Sequence, residues 1–372
     1  MTRFTTRRVA LATTALLAAV FTGCSDDGSS SATTTTSVVS APTAVDSTTT
    51  SAVADTEPAA TVIDTVAERE TTTTAVEVIP VYPLTGLPIT DEAKAFRPAL
   101  VVKIDNHPEA RPQTGLNAAD IVFEENVESL TRFAAVFQSQ DSDPVGPIRS
   151  GRTQDVILLG SFAHPLFAWS GGNPNVTRAI RGSDLIDLSA SVAGAQGGFF
   201  RSGDHKKPHN LYAKTSALYT FTPVFAPTPP PQFLYRAADE AFNGQTSAGV
   251  DLKMDGVNVT WRWDTGSSSY LRFQGGKPHN DATLGQVSAA NVVILEVDYR
   301  PSPADSRSPE AQTIGTGKVQ VLTGGVMTSG TWTRDDRLQP FTLIDDSGSP
   351  IALTPGRSWV ELARKNSVTP LV

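Results

Sequence analysis

The sequence predicts an α/β (α+β) N-terminal domain followed by a smaller, mainly antiparallel β C-terminal domain, with a disordered N-terminal tether ahead of both. Three observations predict it. First, the 372 residues carry a formal charge of −8, and most of it lies in one stretch. Residues 25–80 hold nine acids and one base (Arg69), whereas residues 81–372 hold 26 bases and 29 acids. No aromatic side chain occurs between Phe21 and Tyr82. Second, strand-like apolar runs mix with helical spacing up to about residue 222, and alternating β-branched and aromatic segments dominate beyond it. Third, the proline-rich run Pro223–Pro231 separates the two halves, because it has few backbone donors and resists both helix and central strand. The expected divisions are 1–23, 24–80, 81–225 and 226–372. A nearly neutral body excludes a broadly basic nucleic-acid binder. A single cysteine excludes a disulfide framework and a Cys-rich metal cluster.

The elements follow in chain order. Arg3, Arg7 and Arg8 precede the apolar run Val9–Phe21, small residues and Cys24, which together make a secretory signal peptide. The run is shorter than the roughly 20 apolar residues a bilayer span needs. Phe21-Thr22-Gly23-Cys24 resembles a bacterial lipobox, with phenylalanine where leucine is usual. That resemblance implies cleavage before Cys24 and lipid attachment to its sulfur. Thr6-Arg7-Arg8 matches a twin-arginine signal poorly, so the general secretory route is expected. The Ser, Thr and acid-rich segment that follows cannot offset its ordering entropy. As a coil of about 56 residues it spans on the order of 40 Å and reads as a spacer.

In the body, Pro98–Ile104, Ala119–Val127 and Thr131–Phe137 read as strands. A helix is expected over 152–163, capped by Ser150, with Val156, Leu159 and Phe162 facing inward. Pro165 stops it, and Leu166–Trp169 resumes as a strand before a short helix over Asn175–Arg181. In the second half Val257–Asp264 and Tyr270–Phe273 form a hairpin. Strands are expected at Asn291–Tyr299, Lys318–Leu322, Thr331–Thr333, Phe341–Ile344 and Ile351–Leu353, with Ser358–Leu362 as the last.

Several short stretches carry a family likeness. They include Pro83-Leu-Thr-Gly-Leu-Pro88, Ile104-Asp-Asn-His107, Arg111-Pro-Gln-Thr-Gly115 and Val145-Gly-Pro-Ile-Arg-Ser150. Lys207-Pro-His-Asn-Leu-Tyr212, Tyr270-Leu-Arg-Phe273, Gly276-Lys-Pro-His279, Gly315-Thr-Gly-Lys318 and Gly330-Thr-Trp332 continue the series in order. Together they resemble the YerB-like bacterial lipoproteins over residues 83–363, whose two domains are of unknown function. The resemblance implies a secreted, palmitate-bearing envelope protein anchored through Cys24 on the extracytoplasmic face of the cell membrane. It implies no reaction.

The candidate chemistry is spread over the first domain. Pro147-Ile-Arg-Ser-Gly-Arg152 leads into the expected helix, where unpaired N–H groups and guanidinium groups make an anion site. The candidate ligand-binding residues are Asp105, Asn106, His107, Arg111, Arg132, Arg149, Ser150, Arg152, His209 and Asn210. The bland alternative pairs these arginines with Asp105, Asp120, Glu124 and Glu128. Asp105 and Glu124 are the candidate catalytic carboxylates. Glu124 and Glu128 would lie about 13 Å apart on a strand, too far for the usual carboxylate pair. His205-Lys-Lys-Pro-His209 has a metal-like spacing, but Pro208 breaks the helix that spacing needs, so no metal and no cofactor are expected. Trp261, Trp263 and Tyr270 read as a sugar-stacking surface or, more simply, as core and cross-strand pairs. The expected function is binding of an anionic cell-wall polymer or an envelope protein. The alternatives are a wall-glycan hydrolase or transferase and a structural assembly platform.

Overall fold

The computed structural model describes residues 79–237 and 240–371. The signal peptide, Cys24 and the tether up to residue 78 lie outside the described residues. A short helix α1 (Glu92–Ala95), capped by the Asp91 carboxylate, leads into β1 (Leu100–Asp105). Then come β2 (Ile121–Val127), β3 (Leu130–Phe137), α2 (Thr153–Leu158), β4 (Leu166–Trp169), α3 (Pro174–Arg181) and β5 (Ile186–Ser189). The short hairpin of β6 (Phe199–Arg201) and β7 (Leu211–Ala213), then α4 (Thr215–Tyr219), completes the first half.

The second half is almost wholly β. It opens with β8 (Gln245–Thr246), β9 (Gly249–Met254), β10 (Val257–Asp264) and β11 (Ser269–Gln274). Four two-residue strands follow: β12 (Lys277–Pro278), β13 (Asn280–Asp281), β14 (Gly285–Gln286) and β15 (Ser288–Ala289). Then come β16 (Asn291–Val297), an arm of β17 (Tyr299–Ser302) and β18 (Asp305–Ala311), β19 (Gly315–Thr323) and β20 (Val326–Arg334). β21 (Thr342–Asp345), β22 (Ser358–Arg364) and β23 (Val368–Leu371) end the chain.

The main sheet has the order β21-β20-β19-β16-β22-β2-β3-β1-β4-β5, with β8 on β20. It is mixed: β2, β22 and β16 run parallel, as do β1, β4 and β5, and antiparallel β3 sits between β2 and β1. The sheet therefore passes across the Pro223–Pro231 run, since β22 from the second half pairs directly with β2 from the first. Central strands are rich in apolar residues on both sides because both faces are covered, with a few buried charges among them. On one face Val102, Ile104 and Phe133 meet Val250, Leu252, Val259 and Trp261 of the smaller sheet β12-β11-β10-β9-β23. On the other, Val101, Phe123 and Phe167 meet Leu158, Phe162, Val176 and Ile180.

Several expectations need correction. The expected 152–163 helix is only α2, followed by a 3-10 turn at Gly160–Phe162. Ser150 does not cap it. Arg152 holds the cap position and its N–H is taken by the Asp155 side chain at 2.6 Å. At Gly160 a Cβ would lie 2.7 Å from the Arg337 carbonyl, so the chain from the second half closes on this turn. Ile351–Leu353 forms no strand, only a single bridge from Leu353 to Tyr235. Ser358–Leu362 belongs to a buried central strand rather than the last one. Trp261 and Tyr270 are fully buried, so no sugar-stacking surface forms there.

Candidate functional site

β1 ends on Asp105, directly opposite Arg132 of β3. The β6–β7 loop brings His209 to the same point. His209 donates from Nδ1 to Asp105 Oδ2 at 2.7 Å, and Asp105 Oδ1 accepts the His107 N–H at 3.1 Å. Arg149 Nε lies 3.3 Å from the same Oδ2. A carboxylate on Nδ1 fixes the imidazole tautomer and leaves Nε2 as the free position. That nitrogen faces Glu109, whose Oε2 is 3.7 Å away. The His107 ring stacks on His209 with centroids 4.3 Å apart and planes 13° from parallel.

His107, Glu109 and His209 each bring one donor atom within 4.8 Å of the others. An imidazole binds zinc through a lone pair in its own plane at about 2.0–2.1 Å. Two nearly parallel stacked rings cannot both aim at one ion. The Nδ1 of His107 also accepts the Glu109 N–H at 3.2 Å. The trio holds a metal only if His107 turns off the stack. His205 takes no part, because its ring stacks on Tyr212 instead.

Behind Asp105, on the face covered by the smaller sheet, lies a second polar group. Glu124 is wholly buried there, bonded to Arg272 Nη2 at 2.6 Å and to the Thr131 hydroxyl at 2.7 Å. Glu361 approaches the same pair and accepts from Trp261 Nε1 at 2.8 Å. Burial and the Glu124 charge raise the Glu361 pKa well above the ordinary range. Arg272 also donates to His279 Nδ1, and His279 Nε2 donates to Gln113 Oε1 at 2.8 Å. Burial, together with the charge of Arg272, keeps His279 neutral. Gln113 Nε2 in turn donates to the Asp105 carbonyl at 2.9 Å. Asn106 Nδ2 bonds Thr131 at 2.6 Å, and Arg111 clasps Asn106 through its side chain at 3.2 Å and its carbonyl at 2.8 Å. This chain of bonds props the turn that carries Asp105 and His107. It also seals Glu124 away from any substrate and places it on the opposite face of the sheet from Asp105.

The arginines behave differently from one another. Arg149 contacts Asp105, and Arg152 Nη2 donates to both Glu128 carboxylate oxygens at 2.8 Å. Arg132 is only 9% exposed, and its guanidinium makes one hydrogen bond, to the Ser150 carbonyl at 2.9 Å. Among the described residues it has no carboxylate partner. Burial and the neighbouring Arg152 charge lower its pKa to about 10. Ser150 and Arg152 also line a cavity of about 540 Å³ bounded by Gly171, Gly172 and Asn173 at the start of α3 and by Ser302 and Ser308 of the β17–β18 arm. It opens outside the carboxyl end of β4, where open α/β sheets place their ligands.

The structure thus gathers Asp105, His107, Arg132, Arg149 and His209 into one cluster, with Ser150 and Arg152 beside it. Asn106 and Arg111 stand behind it as props. Asn210 accepts from Arg201 at 2.7 Å and donates to the Ser202 carbonyl at 3.1 Å, ordering the β6–β7 loop rather than joining the cluster. Glu109, Gln113, Arg272 and His279 escaped sequence reasoning as site residues. Their signal lay in the family-like stretches around Arg111, Arg272 and His279, but contacts across about 150 residues have no local trace.

No helix among the described residues is long and apolar enough to cross a membrane. Residues 84–225 match the family described as "Protein of unknown function (DUF3048) N-terminal domain", and residues 250–360 match the corresponding C-terminal domain. The chain is 30% identical over 296 residues to "Putative lipoprotein YerB" of Bacillus subtilis (strain 168), covering 75% of this chain and 85% of that one. The crystal structure of the YerB protein from Bacillus subtilis superposes with a TM-score of 0.68 at 25% identity, covering 78% of this chain and 99% of the other. With both domain matches in order and this relative spanning most of its length, the chain belongs to the YerB-like DUF3048 family.

Proposed function

We propose that the body is an envelope-facing binding head, carried on a lipid at Cys24, that takes a carboxylate or phosphate group of a wall polymer at the edge formed by Arg132, Arg149 and Arg152. Arg132 carries the reading. A buried guanidinium with a single carbonyl partner pays desolvation that the nearby Glu128 and Asp105 charges offset only in part, and it lacks a directly bonded negative charge. An anion seated between Arg132 and its two arginine neighbours supplies that charge through hydrogen bonds stronger than neutral ones. Calorimetric titration with purified teichoic acid tests it. Arg132→Gln weakens binding about tenfold or more, and the wild-type affinity falls steeply with added salt. Equal affinity in wild type and variant removes the proposal.

The anchor is tested separately. Radiolabelled palmitate enters the wild-type chain and not Cys24→Ser; equal labelling of both rules the anchor out. The Asp105–His209 pair favours one second reading, acid–base hydrolysis of a wall glycan, since an oriented imidazole can move a proton. In that case Asp105→Asn abolishes glycan turnover while the far-ultraviolet spectrum stays unchanged.

A further inference from the structure

Arg111 lines a cavity of about 610 Å³ that none of Asp105, His107, Arg132, Arg149 and His209 lines. Arg111, Thr114, Phe200, Ser202, Asp204 and Tyr212 are among its lining residues. Arg111 spends Nε and Nη2 on Asn106 and has no carboxylate partner among the described residues. Tyr212 lines the cavity too; its ring is largely covered, but its hydroxyl is not a buried atom and makes no hydrogen bond among the described residues, so it is open to a ligand. Phe200 is 42% exposed, and its ring stacks on Tyr212 with centroids 6.1 Å apart. Asp204 supplies an acceptor held by the Ser202 hydroxyl at 2.6 Å. Burial, then the Asp204 charge, pushes the Tyr212 phenol up to about 12.

We infer that this cavity is a second binding site, distinct from the arginine edge, for a saccharide bearing a carboxylate. The sugar face lies on the exposed Phe200 ring, as apolar faces do on aromatic side chains. The carboxylate pairs with the free part of the Arg111 fork. Sugar hydroxyls meet the Tyr212 hydroxyl and donate to Asp204. The mixture of an aromatic face, one acceptor carboxylate and several hydroxyls favours a sugar acid over a peptide terminus, which would need donors and an apolar slot rather than Asp204.

The test is calorimetric titration of the full-length chain in detergent with N-acetylmuramic acid, N-acetylglucosamine and acetyl-alanyl-alanine. The carboxylated sugar binds, and the neutral sugar binds about tenfold more weakly. Tyr212→Phe removes one oxygen from a site with no internal partner. It leaves the melting temperature unchanged and weakens the acidic sugar about three- to tenfold. Phe200→Ala, at an exposed position, weakens both sugars about tenfold. Arg132→Gln leaves all of these values unchanged, which separates this site from the arginine edge. Absence of heat with the acidic sugar, binding of the dipeptide in preference to it, or wild-type affinity in both Tyr212→Phe and Phe200→Ala overturns the inference.

Discussion

At the residue scale, the two neighbouring glutamates of β2 organise the interior. Strand alternation sends Glu124 and Glu125 to opposite faces, and each joins one cation and a second carboxyl. Glu124 shares Arg272 with Glu361, while Glu125 shares Lys103 with Asp155, at 2.6 Å to each carboxylate. One positive charge cannot neutralise two anions, so burial and the second carboxyl raise Glu125 to about 7. The sign follows. A carboxyl whose folded pKa lies above its unfolded value gives stability that is full below the unfolded value and is lost as pH rises through the folded one. Stability therefore falls between about pH 4.5 and pH 7, and Glu125→Gln flattens that slope. Urea midpoints across this window check it; a midpoint that climbs with pH contradicts the shared-charge picture. On the other face Arg272→Met leaves Glu124 buried without its partner and costs about 3–5 kcal/mol. A loss below about 1 kcal/mol in the same titration would mean the pair is replaceable. The alternation was legible in the sequence once β2 was read as a strand. The partners were not, because Arg272 sits 148 residues from Glu124.

At the element scale, the long apolar runs declared themselves, since a strand covered on both faces is mostly apolar, its exceptions such as Glu124, Glu125 and Lys103 being paired inside. β1, β2, β3, β4, β10 and β16 all fall where hydrophobic patterning put them. Short strands such as β5, β6 and β7 carry too few residues to show a period, and β9 and β23 gave no signal that was read. The β2–β3 turn is the instructive case. Glu128 and Ser129 both have positive φ, 28° and 67°, with no glycine to announce the turn. Its geometry is imposed from outside: Arg152 grips the Glu128 carboxylate, and the Gly256 backbone packs against the Ser129 carbonyl. A Cβ at Gly256 would lie 2.1 Å from that oxygen. Gly256→Ala must therefore separate the β2–β3 and β9–β10 turns, at a cost of about 1–3 kcal/mol by analogy with overpacked cores. Thermal melting measures it, and a wild-type melting temperature would show that the two turns do not bear on each other. Because Glu128 and Arg152 border the cavity at the arginine edge, the same variant should also weaken polymer binding there.

At the scale of the whole molecule, the proline-rich run divides the sequence more cleanly than it divides the structure. β22 lies between β2 and β16, with Ile121 opposite Ser358 and Glu124 opposite Glu361. The first half alone would leave the inward edge of β2 without its neighbour, a ready template for aggregation. It would also strip the smaller sheet from Ile104 and Phe133, and leave Glu124 without Arg272. The proline-rich run stands out in the sequence because proline chemistry is local. The shared sheet does not, because parallel pairing between distant strands leaves no local mark. Val224 and Phe225 are the exposed point of this linker. Brief chymotrypsin treatment should cut after Phe225, and the two pieces should then travel together through a sizing column without denaturant. Calorimetry of the uncut chain should give one cooperative transition, as expected when a single sheet and its two buried faces unfold together. Two resolved transitions, or fragments that part at native pH, would mean that the β2–β22 seam is not held as tightly as its buried pairs require.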